Sequence, residues 1–278
     1  MYLRTNIKNN LKTILRDPKI LLSLLAAIIM YFMHGIESVT HGSLGRDVYF
    51  TTEATELFLG NITNFTATAV NISFVFLGVV IAVDIFRERA NMMSDLYGSG
   101  QISFKNHYIS KLLTYYILGF AFCIGVLLIH DALYMIFIIP WGASVHWGAV
   151  TISHLVCLVV MYTSSLWMPI GTAVFLSALT GISVIGTLFN CIYQYIPEMF
   201  GLGLYSFYVG YIEAVPIWLF TYLNWIFLPQ DTERSIAVVS NLSFPKALGA
   251  FALQILIPFI LLTISYFFLK KRLRDAKK

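Results

Sequence analysis

From residue 18 onward the chain alternates apolar runs of about 20 residues with short polar or charged segments. Such a run, wound as a helix, crosses a ~30 Å hydrocarbon core. The pattern predicts spans over about 18–36, 65–86, 104–129, 149–166, 170–190 and 246–269. Residues 1–17 read differently. Leu3, Ile7, Leu11, Ile14 and Leu15 recur at helical spacing with Arg4, Lys8 and Lys12 on the other side, so this segment predicts an amphipathic helix in the membrane interface. Asp17-Pro18 supplies a cap and a first helical position for the next helix. Ser103 does the same for the third span, and the Trp167-Met168-Pro169 stretch reads as an inward-facing turn.

Cations orient the pattern. All Lys and Arg except Arg46, Arg234 and Lys246 fall in three clusters: Arg4 to Lys19, Arg87 to Lys111, and Lys270 to Lys278. The positive-inside bias therefore predicts that both ends and the loop over 87–103 face the cytoplasm. The segment 191–230 is then awkward. If the apolar stretch from Gly201 to Leu228 crossed once, there would be an odd number of spans, and the basic tail would lie outside. Pro197, Pro216 and Pro229, with Gly201, Gly203 and Gly210, provide the breaks of a re-entrant hairpin, which needs protein or water around its backbone. The expected fold is an all-α polytopic membrane protein. It has an interfacial helix over 1–17 and one transmembrane domain over 18–278, with six spans and an outer-leaflet hairpin before the last. Eight spans is the other even solution.

Composition agrees, with 58% hydrophobic and 12% charged residues in 278, which is not that of a soluble domain. The net charge of +4 is mostly orientation signal and contact with anionic lipid. No basic patch stands apart from a membrane flank, so nucleic acid is not an expected partner. The N-terminal segment is too charged for a cleavable signal, and no small-residue cleavage site ends the apolar run after it. Cys123, Cys157 and Cys191 lack CxxC spacing. The six histidines form no HExxH or HxxEH pattern, and neither GxxxxGK[ST] nor GxSxG occurs. These absences point to a protein that moves or binds rather than one that catalyses, with no cofactor of its own.

The most specific segment is DIFRERANMMSDLYGSGQISFKNHYISKLL, residues 84–113. With the amphipathic start, six spans and late re-entrant element, it resembles the permease subunits of type-2 ABC exporters. In that family the second span ends in a Glu-containing charged run. A short coupling helix follows, then a Ser or Pro cap and a Lys early in the third span. Here these would be Arg87-Glu88-Arg89, Asn91 to Tyr97, Ser103 and Lys111. The Gly98-Ser99-Gly100 turn departs from the expected Pro-containing one. The resemblance implies a separate ABC ATPase that binds ATP-Mg, a second permease (the same chain or a similar one), and transport across the plasma membrane. Met92, Met93, Leu96 and Tyr97 would fill a groove on the ATPase, Met being adaptable at such surfaces. Arg87, Glu88 and Arg89 would pair with its rim.

Titratable residues at membrane depth are candidates for a pathway. Glu213, inside the aromatic stretch, needs a partner or a wet cavity. Asp131 stands at the expected outer boundary, and Tyr205 and Tyr208 read either as part of an aromatic belt or as an outer gate. The sparse polar content of the spans favours an apolar or amphipathic cargo such as a peptide, a lipid-linked molecule or a drug. The alternative reading is a non-transporting anchor or sensor subunit that recruits a cytoplasmic partner through the same loop. An intramembrane enzyme is disfavoured by the missing constellations.

Overall fold

The computed structural model describes residues 2–41, 72–73, 75–88, 103–137, 166–189 and 244–275, and among them every regular element is helical. We number these α1 (Tyr2–Ile14), α2 (Pro18–His41), α3 (75–88), α4 (Phe104–Phe137), α5 (Trp167–Thr180), α6 (185–189) and α7 (Phe244–Asp275). Arg89, Met92, Met93, Leu96 and Tyr97 of the expected coupling loop lie outside the described residues. So do the expected fourth span up to residue 165 and the segment 191–230, with Tyr205, Tyr208 and Glu213.

Chain chemistry sets the first break. Pro18 has no N–H to donate, and the Asp17 carboxylate accepts from the Lys19 backbone N–H at 3.0 Å, while its carbonyl accepts from Ile20 and Leu21 at 3.1 Å each. Asp17 is thus a working N-cap. In α4 the first helical bond runs from His107 N–H to Ser103 O, 3.0 Å. Residues Phe104–Ile129 of α4 form one helix long and apolar enough to cross a membrane. Pro18–Ile29 of α2 and α5 are shorter apolar helices. Hydroxyls inside these helices satisfy themselves: Thr114, Thr172, Thr263 and Ser265 each donate to the carbonyl four residues back, which keeps them tolerable in apolar surroundings.

Directions follow from paired contacts. Along α3 and α4, Phe76 stacks on Phe122, and Leu77 meets Gly119. Asp84 meets Lys111 and Tyr115, so the two helices are antiparallel. Phe104 stacks on Tyr266, Tyr108 OH donates to Leu262 O at 2.8 Å, and Trp167 bridges Tyr116 and Phe259. Hence α4 is antiparallel to α7. Gly171 lies against the Pro258 backbone, and Arg272 donates to Leu179 O at 2.9 Å, so α5 and α7 run parallel. Outward rows on α2 (Leu22, Leu25, Ile29, Met33) and α7 (Leu256, Ile260, Ile264, Phe267) are exposed, a distribution that marks a surface for membrane or protein contact.

These directions correct the sequence reading in one region. The Trp167-Met168-Pro169 stretch is the first turn of α5, not an inward turn. Trp167 stacks on Tyr116 at 4.7 Å, about 18 Å along α4 from its start. The expected continuous helix over 170–190 is divided instead at Gly181. This glycine is left-handed, with φ 80°, and its N–H closes on Ser177 O. Only Gly adopts that conformation without cost. Thr180 secures the turn by accepting from Ile182 N–H at 3.2 Å. The chain then doubles back: Ser177 Oγ donates to Ser183 O, Gly186 presses on Ala173, and Thr187 donates to Gly78 O at 2.6 Å. The reversal is therefore at residues 181–184, level with Arg272. Sequence reasoning placed it at the wrong break because Pro in a first helical turn and Pro in a loop look alike.

The start of α4, the ends of α3, α5 and α7, and the α1–α2 junction thus share one end of the bundle, which also carries Lys19, Lys105, Lys270, Lys271 and Arg272. We call it the basic end. At the other extreme α4 continues to Phe137, eight residues past the expected boundary at 129, and takes in Asp131.

Candidate functional site: an ionic cluster at the basic end

Helical spacing assembles the site. Asp84 and Glu88 lie one turn apart on α3, with Arg87 beside Asp84, while His107, Lys111 and Tyr115 lie at successive turns of α4. The antiparallel packing of α3 on α4 brings the two faces together. Asp84, with no exposed surface, accepts from three donors: Arg87 at 2.5 Å, Lys111, and Tyr115 OH at 2.7 Å. Lys111 also reaches Glu88 at 3.2 Å, and His107 Nε2 lies 2.5 Å from the same Glu88 oxygen. One ammonium thus holds two carboxylates, and the second carboxylate is shared with an imidazole.

The cluster extends to the N-terminal helix. Arg87 donates to Thr13 O at 3.2 Å and lies 3.8 Å from the Asp17 carboxylate. Asn10 donates to Ser110 Oγ at 3.3 Å, and Ser110 Oγ donates to His107 O at 2.7 Å. Ile14 is fully buried, with Ile7, Asn10 and Leu11 half-buried beside it. The middle of the apolar stripe of α1 is therefore covered by protein, while Leu3 and Leu15 at its two ends stay exposed.

Charge explains the shape of the cluster. Asp17, Asp84 and Glu88 face Arg87 and Lys111, with His107 set against Glu88. Burial pushes the Glu88 carboxyl up, but the His107 hydrogen bond and attraction to Lys111 and His107 outweigh it and hold the group below its ordinary value. A buried pair of this kind contributes little against an apolar substitute, yet removing one member strands a charge at a cost of about 3–5 kcal/mol. The arrangement therefore fixes position. It ties the two helix ends that flank residues 89–102 to each other and to α1.

Among the expected coupling residues, Arg87 and Glu88 make ion pairs within the chain and keep part of their side chains exposed. Lys111 joins them through its pairs with Asp84 and Glu88. Asp131 lies within α4, far along the helix from the cluster. Asp17, Asp84, His107 and Tyr115 were not singled out as site residues in the sequence. The signal was present, since Asp84-x3-Glu88 and His107-x3-Lys111-x3-Tyr115 are one-face helical spacings in segments that should pair. Among the described residues no group of His, Cys, Asp and Glu is arranged to hold a metal. No family model matches the chain, nor does any curated protein or solved structure.

Proposed function

We propose that this chain is the permease subunit of an ATP-driven exporter, working with a separate ATPase and a second permease that is either the same chain or a similar one. The observation that supports this reading best is the ionic cluster. It makes a stiff joint at the root of residues 89–102, where a force-transmitting contact needs one. A lever that enters an apolar bundle must not bend at its base, and paired buried charges resist bending because each displacement exposes an uncompensated partner. Met92, Met93, Leu96 and Tyr97 then form the contact itself, with Arg89 at its edge, and Arg87 and Glu88 act as positioning residues behind it.

In this reading the basic end is cytoplasmic. The six crossings are α2, α3, α4, α5 with the apolar residues before it, a segment that begins at α6, and α7. The outer hairpin falls within the stretch before α7, carrying Glu213, Tyr205 and Tyr208 toward the exit. The cargo is apolar or amphipathic, as the sparse polar content of the helices favours. ATP-Mg belongs to the partner.

The test is reconstitution of the chain with its ATPase in proteoliposomes. Changing Met92, Met93 and Leu96 together to Asp should abolish cargo flux and stimulated ATP hydrolysis while leaving membrane insertion intact. Flux by the isolated chain, or full coupling in that variant, defeats the proposal. Unchanged hydrolysis with no flux in either protein favours the anchor or sensor reading instead.

A further inference from the structure

The cations of α1 and of the turn after it point away from the contacts that hold the helix in place. Ile7, Asn10, Leu11 and Ile14 take the side packed on α4, whereas Arg4, Lys8, Lys12 and Arg16 are exposed and recur every fourth position. Neither α1 nor the turn after it contains a carboxylate before Asp17. The result is a winding row of cations on the outer side of a helix whose inner side is occupied.

That row ends at a junction. The Thr13 carbonyl and the Asp17 carboxylate, at the end of α1 and the cap of α2, are both partners of Arg87. Directly after Asp17 comes α2, whose outward side carries Leu21, Leu22 and Leu25. A cationic row beside the first turns of an outward apolar helix stands at the height where phospholipid headgroups meet the acyl chains. We infer that the Arg4, Lys8, Lys12 and Arg16 row is a binding surface for anionic phospholipid headgroups, and that its occupancy steadies the Asp84–Lys111–Glu88 cluster through the Thr13 and Asp17 contacts to Arg87. Lipid charge thereby regulates the joint behind residues 89–102. This inference rests on the membrane setting of the proposed function, and its test needs no ATPase, so it stands or falls apart from the exporter role.

Hydrogen exchange on the full chain decides it. The protein is placed in nanodiscs of phosphatidylcholine alone, or of phosphatidylcholine mixed with phosphatidylglycerol. Phosphatidylglycerol should slow exchange over residues 2–16 and, in parallel, over 84–88, and raised salt should reverse both. Each cation changed to Gln should weaken lipid retention about fivefold at low salt. A variant that swaps Lys and Arg along the row should respond like the wild type, which separates charge from folding. Equal exchange in the two lipid mixtures overturns the inference, as does a response that survives with all four cations changed to Gln. A response over 2–16 alone overturns the regulatory link. Protection by an acidic peptide as strong as that by phosphatidylglycerol overturns the lipid assignment in favour of a protein surface.

Discussion

At the scale of single residues, the consequential arrangement is Glu88 held between His107 and Lys111. Its carboxyl is favoured in the ionised form when folded and lies below the ordinary value of 4.5. A group with a depressed folded value contributes stability that is complete above its unfolded pKa and is lost as pH falls through the folded one. Thermal unfolding in detergent should therefore show an acid-side decline that begins below about pH 4.5. The Glu88→Gln variant should be less stable at neutral pH and show a shallower decline; curves that stay parallel down to pH 3 would refute this role. Residues of this kind are half legible from sequence. Charge next to a span end is visible in the letters, but which charge meets which depends on register between helices, and that is set by small contacts such as Gly119 against Leu77.

Elements are decided by close approach. Gly186 leaves its returning segment so near α5 that an added Cβ would lie 2.6 Å from the Ala173 backbone. Backbone cannot yield as a side chain can, so Gly186→Val should destabilise by about 1–3 kcal/mol. Gly125 of α4 has nothing within 4 Å of its Cβ position, and Gly125→Ala should stabilise by about 0.5–1 kcal/mol through helix propensity alone. Paired denaturation curves of the two variants check the contrast. The break at Asp17-Pro18 was readable because cap and proline chemistry is local. The reversal at Gly181 was not, since a lone Gly in an apolar run carries no mark of whether a turn or a packed helix requires it. Arg272, 91 positions later, supplies the contact that holds this turn.

For the whole molecule, the all-helical character of the described residues follows from apolar runs and their spacing, while the order of the proposed crossings depends on where the chain turns back. The revised position makes a specific demand. Single cysteines at Val184 and Lys271 should react with an impermeant thiol reagent from the same side of the membrane, and one at Trp167 from neither side, in a background without the three native cysteines. Opposite-side labelling of Val184 and Lys271 would undo the parallel arrangement of α5 and α7. The pairing of Asp84 with Arg87 has a further outcome for biogenesis. Both residues belong to one helix, three positions apart, so they can neutralise each other as soon as that helix winds. Lys111, 27 residues downstream of Asp84, emerges from the ribosome later. In the proposed topology a nascent α3 would enter the bilayer already accompanied by its own counter-ion, and wait for the next helix to complete the set.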